Sequence, residues 1–364
     1  MNMQKIRPIA IYLPQYHPTP ENDEWWGKGF TEWTNVTKAN PLFRTHYQPQ
    51  LPTDLGFYDL RCLQTHIDQA DLAKQHGIAG FAYYHYWFNG KRLLNEPIDL
   101  ILKNKEINFP FCLFWANETW SRRWLGEERE ILLEQTYSFE DDKKHIKWLI
   151  EVFKDPRYIK VGNRPVLIIY RALHFPDITK TLELFRHECK LAGLSEPYFI
   201  ASNSHAGDLD LRTKGFDGIL DFQPQLGKLD NAFTDKRTIK KLFKNINFGV
   251  VNSRLKIYDY YHAKTKMRTR HKYSYFPCSF VGWDNTPRRG KNGIVIKNSS
   301  VDVYKQFLEN DIVKLLSNGF STDENFIFIN AWNEWAEGNH LEPDTKNGDK
   351  FLKATKAIID KYNL

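Results

Sequence analysis

The sequence predicts an α/β protein built as a single (β/α)8 TIM barrel with elaborated βα loops. Three observations carry that expectation. Eight short apolar runs alternate with amphipathic stretches along the 364 residues, the pattern of strands and helices taking turns. Polar and aromatic residues follow most of the runs, as they must if a site is built at the carboxyl ends of barrel strands. The last run, Phe326–Asn330, passes directly into Ala331-Trp332-Asn333-Glu334-Trp335-Ala336-Glu337-Gly338, where two carboxyls lie three positions apart among tryptophans.

Taken in order, Pro8–Leu13 is the first strand; it leads into Pro14-Gln15-Tyr16-His17-Pro18 and Trp25-Trp26-Gly27-Lys28-Gly29-Phe30-Thr31-Glu32-Trp33, before a helical pattern over Asp59–His76. Gly80–Tyr84 ends in His85-Tyr86-Trp87-Phe88-Asn89-Gly90, with a helix expected over Lys91–Lys105. Phe109–Trp115 runs into Ala116-Asn117-Glu118-Thr119-Trp120-Ser121-Arg122-Arg123-Trp124 and a helix over Glu140–Lys154. Pro165–Tyr170 precedes a helix over Ile178–Ala192. Tyr198–Ser202 gives Asn203-Ser204-His205 and the least helical unit, Asn203–Phe216. Gly218–Phe222 gives Gln223-Pro224-Gln225 and a helix over Asp235–Lys244. Tyr275–Val281 gives Gly282-Trp283-Asp284-Asn285-Thr286-Pro287-Arg288 and a helix over Val301–Asn318; a helix over Asp349–Tyr362 follows the last strand. With no linker, low-complexity segment or internal repeat, one domain over residues 1–364 is expected, with Pro8–Leu13 beside Phe326–Asn330 to close the ring.

Composition narrows the class. Aromatic content is 15%, with 11 Trp, 18 Tyr and 25 Phe, and most of the tryptophans stand in polar loop motifs, which favours stacking on partly apolar ligands such as sugar rings. Four cysteines, Cys62, Cys112, Cys189 and Cys278, are scattered singly, so neither a zinc site nor a disulfide framework is indicated. No cofactor, metal or nucleic-acid partner is expected. The first strand begins within ten residues of Met1 and no apolar stretch is long enough to span a bilayer, so a cytoplasmic location is expected. The net charge of +7 is concentrated: between Lys228 and Lys272 there are 13 basic and 3 acidic side chains. That basic elaboration is either a solvated face or a surface for phosphate on a lipid-linked or nucleotide-linked sugar, or for the inner face of a membrane.

Paired carboxyls walled by aromatic rings suit glycosidic-bond chemistry. One must carry a proton to the leaving oxygen while the other is ionised, and apolar walls plus a like charge separate their pKa values. Glu334 and Glu337 are the candidate catalytic pair. Candidate sugar contacts are Tyr12, Tyr16, His17, Trp33, Tyr84, His85, Trp87, Trp115, Asn117, Glu118, Trp283, Asp284, Trp332, Asn333 and Trp335. Glu118 could also face Glu334 across the barrel mouth as a conventional retaining partner, about 5 Å away. Arg122 and Arg123 could clamp an anionic group or make ion pairs beneath their loop.

Ile11-Tyr12-Leu13-Pro14-Gln15-Tyr16-His17-Pro18, Trp25 to Trp33, Tyr83-Tyr84-His85-Tyr86-Trp87-Phe88, Phe114-Trp115-Ala116-Asn117-Glu118 and Trp332-Asn333-Glu334-Trp335 resemble the bacterial WbsX family. Its members are usually described as glycosyltransferases or lipopolysaccharide biosynthesis proteins. Asn333-Glu334-Trp335-Ala336-Glu337-Gly338 is also similar to the Asn-Glu-Trp-His-Glu-Gly motif of the endo-α-mannosidases, with Ala336 where that motif has His. In those retaining barrel enzymes the first glutamate is thought to deprotonate the sugar 2-hydroxyl, which forms a 1,2-anhydro sugar, and the second protonates the leaving oxygen. The resemblance therefore implies Glu334 as base and Glu337 as acid; the departure at Ala336 means that the mannoside substrate does not carry over. Three readings follow: glycoside cleavage, transfer from an activated sugar donor in surface-polysaccharide (O-antigen or capsule) synthesis, and noncatalytic glycan binding. The absence of a Gly-rich nucleotide loop favours the first, the family's usual description and the basic segment the second. A binder would have no use for two carboxylates.

Overall fold

A computed structural model describes residues 5–122, 127–204, 206–229, 255–267 and 271–363. Eight parallel strands close into a ring: β1 (Arg7–Tyr12), β2 (Gly80–Phe88), β3 (Phe111–Trp115), β4 (Arg164–Ile169), β5 (Tyr198–Ser202), β6 (Gly218–Asp221), β7 (Phe276–Phe280) and β8 (Phe326–Asn330). Neighbours follow chain order, and the seam is where the sequence placed it. Ile9 of β1 lies opposite Phe328 of β8 on one side and Gly80 of β2 on the other. Strands covered by helices outside and by side chains inside have no wet face, so β3, β5, β7 and β8 are buried at every residue.

Helices span Leu63–Gln75, Glu96–Lys103, Phe139–Phe153, Ile178–Leu191, Tyr260–Met267, Val301–Ser317 and Lys350–Asn363. Their starts are chemically marked. Ser138, Asp177 and Ser300 accept from the backbone N–H three residues on, which satisfies donors that have no intrahelical partner.

The differences from the expected elements have local causes. β2 runs on through Phe88, and Lys91–Leu93 folds back antiparallel on it, Arg92 opposite Trp87. The following helix therefore starts at Glu96, with Pro97 in its first turn where a missing N–H is harmless. Among the described residues between β5 and β6 the one helical element is a short 3-10 turn, Leu211–Lys214, closed by Gly215 in the left-handed region. A hairpin of Trp120–Arg122 with Glu127–Leu133 rises after β3, and a small sheet joins Lys256–Asp259, Ile294–Lys297 and Trp283–Asp284. Alternation over short stretches did not reveal either. The expected helix over Asp235–Lys244, with Lys240 and Lys241, lies outside the described residues, as do Arg123, Trp124 and His205. Lys264 departs from the surface-patch expectation: it is buried and pairs with Asp311 at 2.9 Å, which removes it from any solvent-facing patch.

Gly80 marks the tightest approach in the wall. A Cβ there would lie 2.9 Å from the Pro110 carbonyl oxygen and 2.7 Å from Ile159 Cδ1. The backbone contact cannot swing away, so Gly80→Ala should lower stability by about 1–3 kcal/mol, the usual range for overpacking. Thermal denaturation reads it, and an unchanged melting temperature would show that the wall yields.

Candidate active site

β8 stops at Asn330 and the chain turns back on itself. Asn333–Glu334 pairs antiparallel with Asn339–His340, and Trp335–Glu337 forms a 3-10 turn closed by Gly338 at φ 57°. Gly338 is favoured by that positive φ, and a Cβ there would also crowd Asp284, at 3.1 Å from its Cβ and 3.3 Å from its backbone N. The turn is pinned to the first strand. Asn333 Oδ1 accepts from Leu13 N–H at 2.8 Å while its Nδ2 donates to Leu13 O at 3.1 Å. Tyr16 donates its hydroxyl proton to Asn333 O and accepts from Trp335 N–H. Trp335 stacks on His340 with centroids 3.7 Å apart and donates to Glu342 at 2.7 Å. Glu342 also receives Gln69 and Tyr58; burial lifts its pKa to about 7.

Arg288 arrives from the loop after β7. Asp284 holds that loop: its Oδ1 accepts from Thr286 N–H and Oγ1, and its Oδ2 from Gln48 Nε2 at 2.7 Å and His46 Nε2 at 2.6 Å. Because Leu42 N–H donates to His46 Nδ1, the neutral imidazole carries its proton on Nε2, the atom facing Asp284.

The Arg288 guanidinium then meets three carboxylates. It donates to Glu337 at 2.6 Å, to Glu334 at 3.2 Å, and to Glu32 at 2.6 and 3.1 Å. Glu32 is itself fully buried and held by Asn35 at 2.6 Å. Three acids against one base cannot all be ionised cheaply in a dry site. Burial, then the neighbouring Glu337, pushes Glu334 up to about 8, and burial raises Glu337 as well, against the pull of Arg288. The shorter contact to Arg288 belongs to Glu337, which favours Glu334 as the protonated member of the pair.

Stability acquires a signature from this. Between the ordinary carboxylate range and about pH 8 the native chain keeps a proton on Glu334 that the unfolded chain has released, so stability falls as pH rises through that window. Buried His17 and His85, lowered by burial to about 4 and about 3, act in the opposite sense, but only below pH 6.5, their unfolded value. Melting temperature should thus decline from pH 6.5 to about 8, with Glu342 adding to the fall near pH 7, and Glu334→Gln should remove the larger part of it. A parent profile that is flat over this range would contradict the shared proton.

Above the carboxylates lies a cavity of about 360 Å³, lined by Leu13, Gln15, Asn22, Trp26, Tyr84, Tyr86, Ala116, Glu118, Thr119, Trp120, Ser121, Leu132, Tyr170, Phe222, Trp283, Arg288, Asn330, Glu334 and Glu337. That is the size and aromatic character of a small-ligand site. Five of the residues expected from sequence meet there: Glu334, Glu337, Glu118, Tyr84 and Trp283. Glu118 is held by Arg171, whose guanidinium donates to it from Nε at 2.6 Å.

The other expected contacts do not reach the cavity. Strand alternation decides several, because Tyr84 and Tyr86 point inward while His85 and Trp87 point out to the helix Phe139–Phe153. His85 bonds His145 and stacks on Trp148; Trp87 donates to Asp141. Trp115 packs outward on His145 and Phe175, and Tyr12 donates to Gln69. Trp332 is buried against Phe81, Trp33 donates to Tyr58 O, and His17 is fully buried. Asn117 ties Arg171 N–H and O to Tyr137, so it supports Glu118 from beneath. Tyr16, Asn333, Trp335 and Asp284 hold the turn and the Arg288 loop. Sequence reasoning missed Arg288 and Glu32 as site residues. Each stood in a polar, aromatic loop motif, and no spacing rule links two residues 256 positions apart. Among the described residues no cluster of His, Cys, Asp and Glu is placed to hold a metal ion.

Residues 8–355 match the family described as Glycosyltransferase WbsX. WxcX of Xanthomonas campestris pv. campestris strain B100 is 38% identical over 353 residues, 96% of this chain and 49% of its own length. The WxcX of strain ATCC 33913 matches to the same extent. The chain thus spans about half the length of these curated relatives. Among solved structures, the GH99 endo-α-mannosidase from Bacteroides thetaiotaomicron superposes with a TM-score of 0.57 at 15% identity, covering 98% of this chain and 97% of that one. A glycoside hydrolase-like protein superposes with a TM-score of 0.62 at 12% identity, covering 99% and 95%. At such identities the likeness is one of fold, the (β/α)8 barrel.

Proposed function

Because this chain belongs to the WbsX glycosyltransferase family, we propose that it cleaves or transfers a glycosidic bond with Glu334 and Glu337 as its acid/base pair, in the making or remodelling of a bacterial surface polysaccharide. The observation that carries this reading is the pair itself: Glu334, buried, and Glu337, its side chain 20% exposed, stand together beneath an aromatic-walled cavity with Arg288 as their common counter-ion. A glycan binder would gain nothing from burying such a cluster.

One carboxyl donates to the departing glycosidic oxygen, and the other removes a proton from the sugar 2-hydroxyl, whose oxygen then displaces the leaving group at the anomeric carbon. Water or an acceptor hydroxyl opens the resulting 1,2-anhydro sugar, so hydrolysis and transfer share the first step. The resemblance makes Glu334 the base and Glu337 the acid. In the free site the proton favours Glu334, so substrate entry has to move it to Glu337, for example by loosening the 2.6 Å contact with Arg288. A donor carrying a nucleotide or lipid phosphate is the second reading, favoured by the basic composition between Lys228 and Lys272.

Mass-spectrometric screening of the purified protein against a glycoside panel and a nucleotide-sugar panel tests the two. Release or transfer of sugar from a glycoside supports the main reading. Consumption of a nucleotide sugar alone would replace it with the second.

A further inference from the structure

The cavity wall carries buried polar groups that have no partner within the protein. Asn22, on the short helix Pro20–Trp26, is 1% exposed, and neither its Oδ1 nor its Nδ2 makes a hydrogen bond. Asn330, the last residue of β8, is 2% exposed; its Nδ2 donates to Gln223 O at 2.8 Å, which fixes the amide and leaves Oδ1 without a donor. Trp283 Nε1–H is likewise unmatched. All three side chains line the same cavity as Glu334 and Glu337. Unmatched buried polar atoms occur elsewhere among the described residues, Asn325 and His66 included, but these three side chains share one cavity, where a ligand can supply their partners.

The set is mixed: two carbonyl oxygens accept, while an amide N–H2 and an indole N–H donate. Sugar hydroxyls, which donate and accept at once, fit such a wall. An anionic group would not. It would face two amide oxygens, and Arg288 is the single cationic side chain lining the cavity among the described residues. Its guanidinium already donates to Glu32, Glu334 and Glu337. Glu118, with Arg171 behind it, adds a further carboxylate to the lining. A negative charge entering this site meets net repulsion at short range and low dielectric.

We propose that Asn22, Trp283 and Asn330 form a hydroxyl-reading wall, and that the sugar ring taken into the cavity is uncharged, a neutral hexose or deoxyhexose and not a uronate or a phosphorylated sugar. This rests on the glycan reading of the site and specifies its substrate class. Trp26, Trp120 and Tyr86 supply the flat apolar surface for the ring's C–H face.

Saturation-transfer NMR titrations test the proposal, with methyl glycosides of neutral hexoses and 6-deoxyhexoses, the matching methyl hexuronides, and the methyl esters of those hexuronides. At least one neutral glycoside should bind, and Asn22→Ala and Trp283→Phe should each weaken it roughly three- to tenfold, the range for one lost hydrogen bond. A hexuronide should bind at least about tenfold more weakly than its own methyl ester, which restores neutrality at the same shape. That comparison needs no variant, so it stands even if a substituted protein folds poorly. A hexuronide that binds as tightly as its ester, or a neutral glycoside indifferent to both substitutions, overturns the inference and leaves the glycan reading intact. If no glycoside of either charge binds, the glycan reading falls and the inference falls with it.

Discussion

Glu334→Gln and Glu337→Gln should each lower turnover on the true substrate by about 10²–10⁴, the usual loss when a general acid or base is removed, or roughly 3–5 kcal/mol of barrier. The double variant should lose far less than the product of the two, because a pair that shares one proton acts as a unit. Gln keeps the shape of Glu and can still accept from Arg288 at position 334, where the contact is 3.2 Å. Glu334→Gln should therefore melt at or above the parent temperature at pH 8 while being inactive, since it relieves a carboxylate that burial holds at a pKa of about 8. The pH–rate profile should be bell-shaped, with its upper limb falling near that value as the last shared proton leaves. A substrate lacking the 2-hydroxyl should bind without reacting. Either single variant turning over at nearly the parent rate would shift attention to Glu118.

Replacing Arg288 should produce the largest structural effect. Its side chain is 9% exposed, that of Glu32 0% and that of Glu334 8%. Burial works against the guanidinium's charge, yet Glu32, Glu337 and Glu334 together hold its pKa above the ordinary value. Arg288→Gln leaves those carboxylates without a counter-ion, which costs about 3–5 kcal/mol when a buried pair is broken. The acids can escape part of that by taking up protons, so the deficit in melting temperature should be large at pH 8 and small at pH 5. Arg288→Lys restores a point charge but not the fork that reaches three acceptors, and should recover stability only in part. A deficit independent of pH would show that Arg288 contributes packing and not charge.

What the sequence disclosed, and what it hid, follows from the range of each interaction. All eight barrel strands were legible because burial on both faces writes a continuous apolar run into each, as in Phe326–Asn330. The glutamate pair was legible because both members lie in one turn. The side-chain assignments along β2 were not. A strand covered on both faces shows no alternation of polarity, so nothing in Tyr84-His85-Tyr86-Trp87 told inward from outward, and Tyr86 was passed over for His85 and Trp87. Arg288 and Glu32 were invisible for another reason: their meaning lies in a contact between the first and seventh βα loops. Tryptophan was the misleading signal. Trp115, Trp332 and Trp335 mark the neighbourhood of the site, yet all three are spent on packing beneath it.

The seam between β1 and β8 has a kinetic consequence. The bonds from Asn333 to Leu13 reach across 320 positions, and Asn363 ties both backbone groups of Ile6 across 357. Contacts of such separation are slow to find during folding, since a long loop must close before they give anything back. Ring closure and assembly of the carboxylate cluster are coupled, because Glu32 lies in the segment between β1 and β2 while Glu334 and Glu337 lie just beyond β8. A chain that has ordered its first seven strands already has most of its secondary structure but has not yet assembled the cluster of Glu32, Arg288, Glu334 and Glu337. During refolding, recovery of activity should therefore lag behind recovery of helical signal, and mild denaturant should open this seam and silence the protein while much of the helix content persists.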